Sequence, residues 1–430
     1  MPWKSRSSLA LFAILSLFLP CHCDAKEGFH AEGLAVSKEP GWPQWRGARR
    51  DGICDEKGLL QSWPEGGPKR LWVMEGLGKG FSSPVISDSA IYITGDVGDR
   101  LVIFCLDFDG LVKWKIENGR SWKRSYQGAR ACCLIHRGRI YNMNGHGRVV
   151  CLDAKDGSEE WAVNVLERFG GKEITWGHSE CLLIDGDRLV VTPGGSRAMM
   201  ATLALDTGKT VWTSAPIPGD SSSYSSPILF SHGGMRHLVN CSSTHAFGVN
   251  ADTGKLLWYV DRPTRYKAIT STPTYLGKGR VFVASPDQRE SELLQIEVSG
   301  DRAGVSSLWQ CRMNNLIGGT IHLEGLLYGS GYKKNYGWYC IDGAAGETRF
   351  HYQELYTGSA IYADGRFYCF SDKGMMALLE PTADGFKTHG SFRLVGGDGK
   401  KVSDAWAHPV ICNGRLYLRY HDKLYCYNVK

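Results

Sequence analysis

Aromatic, carboxylate, amide and cationic residues occur together in short segments that are spread along most of the chain. These segments contain Lys79, Phe81, Tyr126, Arg130, Trp176, His178, Glu180, Tyr224, Ser225, Ser226, Lys267, Thr270, Asn314, Asn315, Tyr356, Thr357, Asp404, Trp406 and His408. Aromatic side chains with a few convergent polar groups in a concave surface are typical of a small-molecule site. The same residues are equally suited to fill a narrow channel as turn and strand-start residues. Both interpretations require a fold that brings the segments to one place.

Several familiar catalytic motifs are missing from the sequence. It contains no His-Glu-x-x-His, no Gly-x-Ser-x-Gly, no Walker loop and no paired Cys-x-x-Cys set. A formal charge of +6 spread over 430 residues is too weak and too mixed to indicate nucleic acid. With 43% hydrophobic and 11% aromatic residues, the chain has the composition of an ordered globular protein.

A repeat that ends in an aromatic residue runs through most of the chain. Clear copies are Ala204-Leu-Asp-Thr-Gly-Lys-Thr-Val-Trp212 and Val249-Asn-Ala-Asp-Thr-Gly-Lys-Leu-Leu-Trp258. The final aromatics recur at intervals of about 41 to 51 residues, at Trp72, Trp114, Trp161, Trp212, Trp258, Trp309, Phe350 and Phe392. This period suits one four-stranded blade of a β-propeller and is too long for most helical solenoids.

Each period contains short β-branched or alternating segments separated by Asp-Gly, Thr-Gly or Gly-Arg turns, which predicts antiparallel hairpins. The last unit, residues 405–427, supplies only three strands, and the orphan segment Leu71–Val73 supplies the fourth. The sequence therefore predicts an all-β, eight-bladed propeller of four-stranded antiparallel blades, closed by pairing an N-terminal strand with the C-terminal blade. Seven blades are the alternative if the stretched copy at 293–309 is irregular.

The Leu-Asp-x-x-Thr-Gly-Lys-x-x-Trp signature resembles the repeat of pyrroloquinoline quinone (PQQ)-type propellers. That group includes quinoprotein alcohol dehydrogenases and the propeller subunit of the outer-membrane protein assembly machine. The resemblance covers about residues 40–430. Within it, Trp42-Pro-Gln-Trp-Arg-Gly47 and Trp176-Gly-His-Ser-Glu180 are similar to a bacterial subgroup of exported PQQ-like proteins, whose members are mostly named for the repeat.

A quinoprotein dehydrogenase of this kind would need PQQ, a Ca²⁺ held by oxygen ligands, a carboxylate base and an aromatic floor under the quinone. The resemblance then implies Glu180 or Asp404 as the base and Glu180 with Asn314 as metal ligands. The residues it implies for cofactor contact are Arg130, Trp176, His178, Tyr224, Lys267, Asn314 and Trp406.

Family dehydrogenases often carry a vicinal disulfide above the cofactor, and Cys132-Cys133 is similar to that pair. Here the pair is predicted to lie inside an innermost strand that covers residues 131–136. The dehydrogenase pair belongs in a loop before such a strand, so ordinary strand thiols are the favoured interpretation.

Because no catalytic set can be assigned, the leading hypothesis is a binding or scaffold protein that takes a small molecule at the channel mouth. The first alternative is a PQQ- and Ca²⁺-dependent dehydrogenase that oxidises an alcohol or sugar. The second alternative is an envelope assembly subunit that contacts a protein partner.

The N-terminus has the pattern of a secretory signal: Lys4 and Arg6 precede the apolar run Leu9–Leu19, and the small residue Ala25 follows. We therefore expect a signal peptide at 1–25, an N-terminal extension packing on the propeller at 26–66, and the propeller at 67–430. A lipid anchor at Cys21 or Cys23 is the competing interpretation. No later stretch is apolar enough to span a membrane, which favours a periplasmic or secreted protein without a transmembrane segment in its mature form.

Overall fold

The turn-separated β-branched segments of the sequence form the strands of eight antiparallel sheets. The computed structural model describes residues 31–286, 290–395 and 404–430. Two short strands come first, β1 (Ile53–Cys54) and β2 (Arg70–Met74). The predicted signal peptide at 1–25 lies outside the described residues. No helix in the described ranges is both long and apolar enough to cross a bilayer.

The first four blades follow one another along the chain, each in the order of its strands. Blade 1 contains β3 (Val85–Ile86), β4 (Ile91–Val97), β5 (Arg100–Leu106) and β6 (Val112–Arg120). Blade 2 contains β7 (Leu134–His136), β8 (Arg139–Met143), β9 (Arg148–Asp153) and β10 (Glu159–Asn164), followed by the short helix α1 (Val165–Phe169). Blade 3 contains β11 (Leu183–Asp185), β12 (Arg188–Val191), β13 (Ala201–Ala204) and β14 (Thr210–Thr213). Blade 4 contains β15 (Ile228–His232), β16 (Met235–Cys241), β17 (His245–Asn250) and β18 (Leu256–Asp261).

The remaining four blades continue the same order. Blade 5 contains β19 (Thr274–Tyr275), β20 (Arg280–Val283), β21 (Ser291–Ser299) and β22 (Arg302–Cys311). Blade 6 contains β23 (Ile321–Leu323), β24 (Leu326–Gly331), β25 (Gly337–Asp342) and β26 (Thr348–Tyr352), with a 3₁₀ turn at Lys333–Asn335. Blade 7 contains β27 (Gly358–Ala363), β28 (Arg366–Ser371), β29 (Met375–Pro381) and β30 (Phe386–Arg393). Blade 8 contains β31 (Val410–Cys412), β32 (Arg415–Tyr420) and β33 (Lys423–Asn428).

Blade 8 is completed from the other end of the chain, as the sequence predicted. Strand β2 pairs antiparallel with β33, with Trp72 opposite Cys426 and Met74 opposite Leu424. The stretched copy at 293–309 also forms a regular four-stranded blade, so the propeller has eight blades and not seven. Strand β2 thereby supplies the fourth strand of blade 8 and joins the two ends of the described chain in one sheet.

The repeat aromatics join neighbouring blades. The indole of Trp161 on β10 lies against Gly208 in the β13–β14 turn of the next blade, and its N–H donates to the Leu205 carbonyl at 2.8 Å. The same stacking on a turn glycine pairs Trp72 with Gly110, Trp114 with Gly157, Trp212 with Gly254 and Trp309 with Gly346. The turn glycine of the repeat therefore serves the contact between blades as well as the turn.

The first strand of each blade lines the central channel, because the second and third strands are buried and most residues of the fourth strands face solvent. Residues 31–67 cross the end of the channel where the first strands finish. There Trp42 bridges Ile86 on β3, and β1 adds in parallel to β27 of blade 7.

Three residues of this segment, Trp45, Arg46 and Arg50, enter the channel, and we call them the channel plug. The Trp45 indole donates to Thr272 Oγ1 at 3.2 Å beside blade 5 and lies with its ring 4.2 Å from that of His408 before blade 8. Arg46 donates to carbonyls before blade 6, and Arg50 donates to carbonyls before blade 3. The plug therefore connects four blades across the axis.

Candidate functional site

The segments that lead into the first strands lie together at the end of the channel opposite residues 31–67, because all first strands run in the same direction. We call this end the mouth. It carries a chain of aromatic rings, the aromatic belt, which consists of Phe81, Tyr126, Trp176, Tyr224, Tyr266 and Trp406. The ring centroids of the five contacting pairs along the belt are 5.1 to 6.3 Å apart.

The belt is partly open to solvent. Tyr126 is 48% exposed and Tyr266 is 54% exposed, while the other four rings are half-buried. Exposed aromatic side chains that lie side by side are enriched at binding surfaces, where they supply a large contact area at a low cost in conformational entropy. The belt therefore has the composition of a binding surface.

Arg130 supplies a positive charge within the belt. Its guanidinium lies 5.8 Å from the Phe81 ring centroid and 5.6 Å from that of Trp122, both within cation–π range. It also donates to the Gly128 carbonyl at 2.5 Å and to that of Tyr126, so it holds the loop that presents Tyr126. Burial lowers the pKa of Arg130 to about 10, and the group stays protonated at neutral pH.

A second aromatic group stands on blades 6 and 7. Tyr336 and Tyr356 stack with ring centroids 5.2 Å apart, and the Lys373 ammonium lies 5.1 Å from the Tyr356 centroid. Burial, with the nearby Tyr126 next in effect, raises the pKa of the Tyr332 hydroxyl. Tyr332 directly follows β24, which runs antiparallel to β23 and so ends at the mouth, and the two groups therefore share the mouth.

Asn314 fixes the backbone of Tyr332. Its amide nitrogen donates to the Tyr332 carbonyl at 3.2 Å, and its amide oxygen accepts from the Tyr332 N–H at 2.9 Å. Both ends of this buried side chain are therefore engaged within blade 6, and Asn314 acts on the mouth by positioning Tyr332.

Glu180 is buried inside blade 3. Its two carboxylate oxygens accept hydrogen bonds from the Thr192 N–H and the Thr192 hydroxyl, each at 2.8 Å. Burial raises the pKa of Glu180 to about 7, although these hydrogen bonds and the charge of Arg50 oppose the shift. His178 is buried as well, its Nε2 lies 3.2 Å from the Lys172 carbonyl, and burial lowers its pKa to about 4.

The raised pKa of Glu180 predicts a dependence of stability on pH. A carboxyl whose pKa is higher in the folded than in the unfolded state stabilises the protein fully below the unfolded pKa, and this contribution is lost as pH rises through the folded pKa. For Glu180 the loss amounts to about 2 kcal/mol between about pH 5 and pH 7. Urea unfolding of wild type and Glu180→Gln at both pH values gives the change in the free energy of unfolding for each protein. The difference between these two changes is the contribution of Glu180, since the other titrating groups are common to both proteins. An equal change in the two proteins would contradict the assignment.

The structure separates the candidate residues into two sets. Trp176, Tyr224, Trp406 and Arg130 come together at the belt, and Lys267 is exposed on the loop beside Tyr266. Asp404 is half-buried and lies two residues before Trp406. Glu180, His178 and Asn314 belong to the interior, where protein groups bond their polar atoms.

Sequence reasoning missed Tyr266, although this residue lies in the segment before β19, next to the predicted Lys267. It also missed Tyr332, Tyr336 and Lys373, because it considered only the segments before the first strands. The turns between second and third strands return to the same end of each blade, because the second strand runs antiparallel to the first. Aromatic residues in those turns were the signal that would have identified them.

The described residues do not fit PQQ with Ca²⁺ as the resemblance implied. The oxygen donors of Glu180 and Asn314 are already engaged by Thr192 and Tyr332. A planar ligand held between two rings would need parallel faces roughly 7 to 8 Å apart. The contacting belt rings are closer than that and are inclined to one another by 32° to 74°.

The vicinal cysteines lie at the start of blade 2. Strand β7 begins at Leu134, so Cys132 and Cys133 directly precede it, which corrects the prediction that they lie inside it. Both cysteines are buried, and neither is bonded to another cysteine in the structure. Cys132 faces the channel beside Trp45 and His408.

Comparisons of sequence connect the chain to known proteins. A family model described as outer membrane protein assembly factor BamB matches residues 102–352. The quinohemoprotein alcohol dehydrogenase ADH-IIG of Pseudomonas putida is 26% identical over 151 residues, which are 32% of this chain and 20% of that protein. The match thus spans about a fifth of the length of this curated relative.

Solved structures resemble the fold over most of the chain. BamB from Moraxella catarrhalis superposes with a TM-score of 0.60 at 13% identity, covering 84% of this chain and 99% of that one. The quinohemoprotein alcohol dehydrogenase from Comamonas testosteroni superposes with a TM-score of 0.65 at 12% identity, covering 91% of this chain and 80% of that one. At these identities the likeness establishes the propeller fold.

Proposed function

The chain belongs to the PQQ-like repeat family described as outer membrane protein assembly factor BamB, and we propose that it is an exported binding protein whose aromatic belt holds a small molecule. The observation that carries the proposal is the belt itself, a connected row of rings from several blades with Arg130 among them. The family description refers to the outer membrane, which is consistent with export.

The charges around the belt indicate the kind of molecule. Arg130, Lys79 and Lys267 supply cations at the mouth. The carboxyls of Asp96, Asp372 and Asp404 lie near the same end. With Lys373, the four cations outnumber these three carboxyls. Aromatic faces with a surplus of cations favour a planar ligand that carries an acidic group. We therefore propose a planar aromatic anion as the ligand class.

Removing Tyr126 is expected to weaken binding of such a ligand about tenfold, since an aromatic contact contributes about 1 kcal/mol or slightly more. The probe is anilinonaphthalene sulfonate, followed by its fluorescence on titration. Tyr126→Ala is compared with Tyr259→Ala. Tyr259 is also 48% exposed but lies on the outer strand β18, so its removal should leave the dissociation constant within twofold of wild type. Equal dissociation constants for the two variants would overturn the proposal.

An envelope assembly subunit is the second candidate. The observation that favours it is the share of each solved chain that this protein covers. The match covers 99% of the BamB chain from Moraxella catarrhalis but 80% of the Comamonas dehydrogenase. This function predicts co-purification with an outer-membrane protein. It also predicts that Tyr126→Ala would weaken that association while planar anions would not compete for it.

The dehydrogenase alternative makes a separate prediction. It requires dye-linked oxidation of an alcohol or sugar when PQQ and Ca²⁺ are added to the purified protein. Turnover that is abolished by Glu180→Gln or Asp404→Asn would support it over the binding function. The engagement of Glu180 by Thr192 leads us to expect no such turnover.

A further inference from the structure

Two cysteines from neighbouring blades meet beside the channel plug. Cys132 precedes β7 of blade 2, Cys181 precedes β11 of blade 3, and the N–H of Cys132 donates to the Cys181 sulfur at 3.3 Å. Both are buried, with Cys132 1% and Cys181 4% exposed.

The backbone geometry brings the pair within bonding reach. Since Cα lies about 1.46 Å from the backbone nitrogen, the Cα of Cys132 is within about 4.8 Å of the Cys181 sulfur. A Cβ–Sγ–Sγ linkage spans this separation. Rotation about χ1 of Cys132 can then bring the two sulfurs together without moving the blades.

The surroundings make the two thiols chemically different. Arg50 donates to the Cys181 carbonyl at 2.8 Å. Burial opposes ionisation of Cys181, but hydrogen bonds from Cys132 and the charge of Arg50 bring the pKa of the Cys181 thiol below its ordinary value. Burial, followed by the contact with Cys181, raises the pKa of Cys132 well above its ordinary value. Within the packed blades, Cys181 is therefore the more acidic of the two thiols.

We infer that Cys132 and Cys181 form a disulfide between blades 2 and 3 when the protein folds in an oxidising environment. The oxidant is a small-molecule disulfide such as oxidised glutathione. One of the two cysteine thiolates attacks one of its sulfurs and expels one glutathione thiolate. The other cysteine thiolate then attacks the cysteine sulfur of the mixed disulfide and expels the second glutathione thiolate. The cysteine pair loses two electrons and two protons, and one oxidised glutathione becomes two molecules of glutathione.

The bond forms during folding, because both sulfurs are buried once blades 2 and 3 pack together. It closes a loop of 49 residues that contains the whole of blade 2. Cross-linking a loop of this length restricts the unfolded chain, so the oxidised protein is expected to melt about 5 °C above the reduced protein.

Peptide mapping of the full chain tests the inference. The protein is refolded with reduced and oxidised glutathione, remaining thiols are alkylated in denaturant, and trypsin releases residues 131–137 and 173–188. The expected product is these two peptides joined by a reducible bond. The joined product should persist in Cys133→Ser, the matched control, and disappear in Cys132→Ser and Cys181→Ser.

Two results would overturn the inference. One is a loop within residues 131–137 from a Cys132–Cys133 bond, with Cys181 alkylated. The other is complete alkylation of Cys132 and Cys181 in refolded wild type. Both can be read from wild type and Cys133→Ser alone, so the test does not depend on whether the other two variants fold.

Discussion

Replacing Arg46 by Met is expected to lower the free energy of unfolding by about 4 kcal/mol. Arg46 is 4% exposed, and its guanidinium donates to the carbonyls of Gly318 at 2.6 Å, Asp51 at 2.9 Å and Arg50 at 3.2 Å. A further bond reaches Thr320. Met fills a similar volume but donates no hydrogen bond, so buried carbonyls of the plug segment and of blade 6 would lose their partner.

Denaturant unfolding of wild type and Arg46→Met measures this loss. Arg302→Met is the control, because Arg302 is exposed on the outer strand β22 and surface substitutions usually change stability by less than about 0.5 kcal/mol. Limited proteolysis adds a local readout: cleavage within residues 31–67 should become faster in Arg46→Met. A loss below about 1 kcal/mol would show that the plug does not hold the segment to blade 6.

Gly208→Ala is expected to cost about 3 kcal/mol, because two unfavourable effects add at this turn. Gly208 has φ of 64°, a conformation that an L-residue adopts at a cost of about 1 kcal/mol or more. An added Cβ would also lie 2.6 Å from Cε3 of Trp161, so the indole that joins blades 2 and 3 would have to shift.

Gly186→Ala separates the two effects. Gly186 lies in the same blade with the same φ of 64°, but an added Cβ there meets nothing within 4 Å. It should cost only the conformational part, about 1 kcal/mol. In a Trp161→Ala background the cost of Gly208→Ala should fall to the same value, which thermal or denaturant unfolding would show as a coupling of about 2 kcal/mol. Equal costs for the two alanines in the wild-type background would contradict the role of the indole.

Most of the architecture could be read from the repeat. A turn of Asp, Thr and Gly followed by Trp encodes both a hairpin and the ring that packs on the next blade, so each copy predicts a blade and its contact. Strand β2 could be assigned to the last blade because only the final part of the repeat precedes Trp72, while the last blade lacks a fourth strand of its own. The structure confirms these inferences. They succeeded because each rests on a local pattern that recurs along the chain.

The mouth was predicted in outline but not residue by residue. Trp176, Tyr224 and Trp406 lie in equivalent segments of their blades, and all three join the aromatic belt as expected. Glu180 and Asn314 also lie in equivalent segments, yet their side chains bond to neighbouring backbone or hydroxyl groups inside the blades. The direction in which a side chain leaves such a segment depends on backbone angles that the residue types do not reveal.

By itself, the sequence determined the strand order of the blades and the way the ring closes, because periodic turns and aromatics specify those features locally. It favoured eight blades over seven, and the structure decided that number because it shows a regular blade at the stretched copy. Only the tertiary structure decided that Arg46 and Arg50 plug the channel and that Tyr332 from a different turn joins the mouth. Only the tertiary structure, too, placed Cys132 against Cys181. Each of these contacts joins residues far apart in the chain, and the distance between them is set by the curvature of the whole ring.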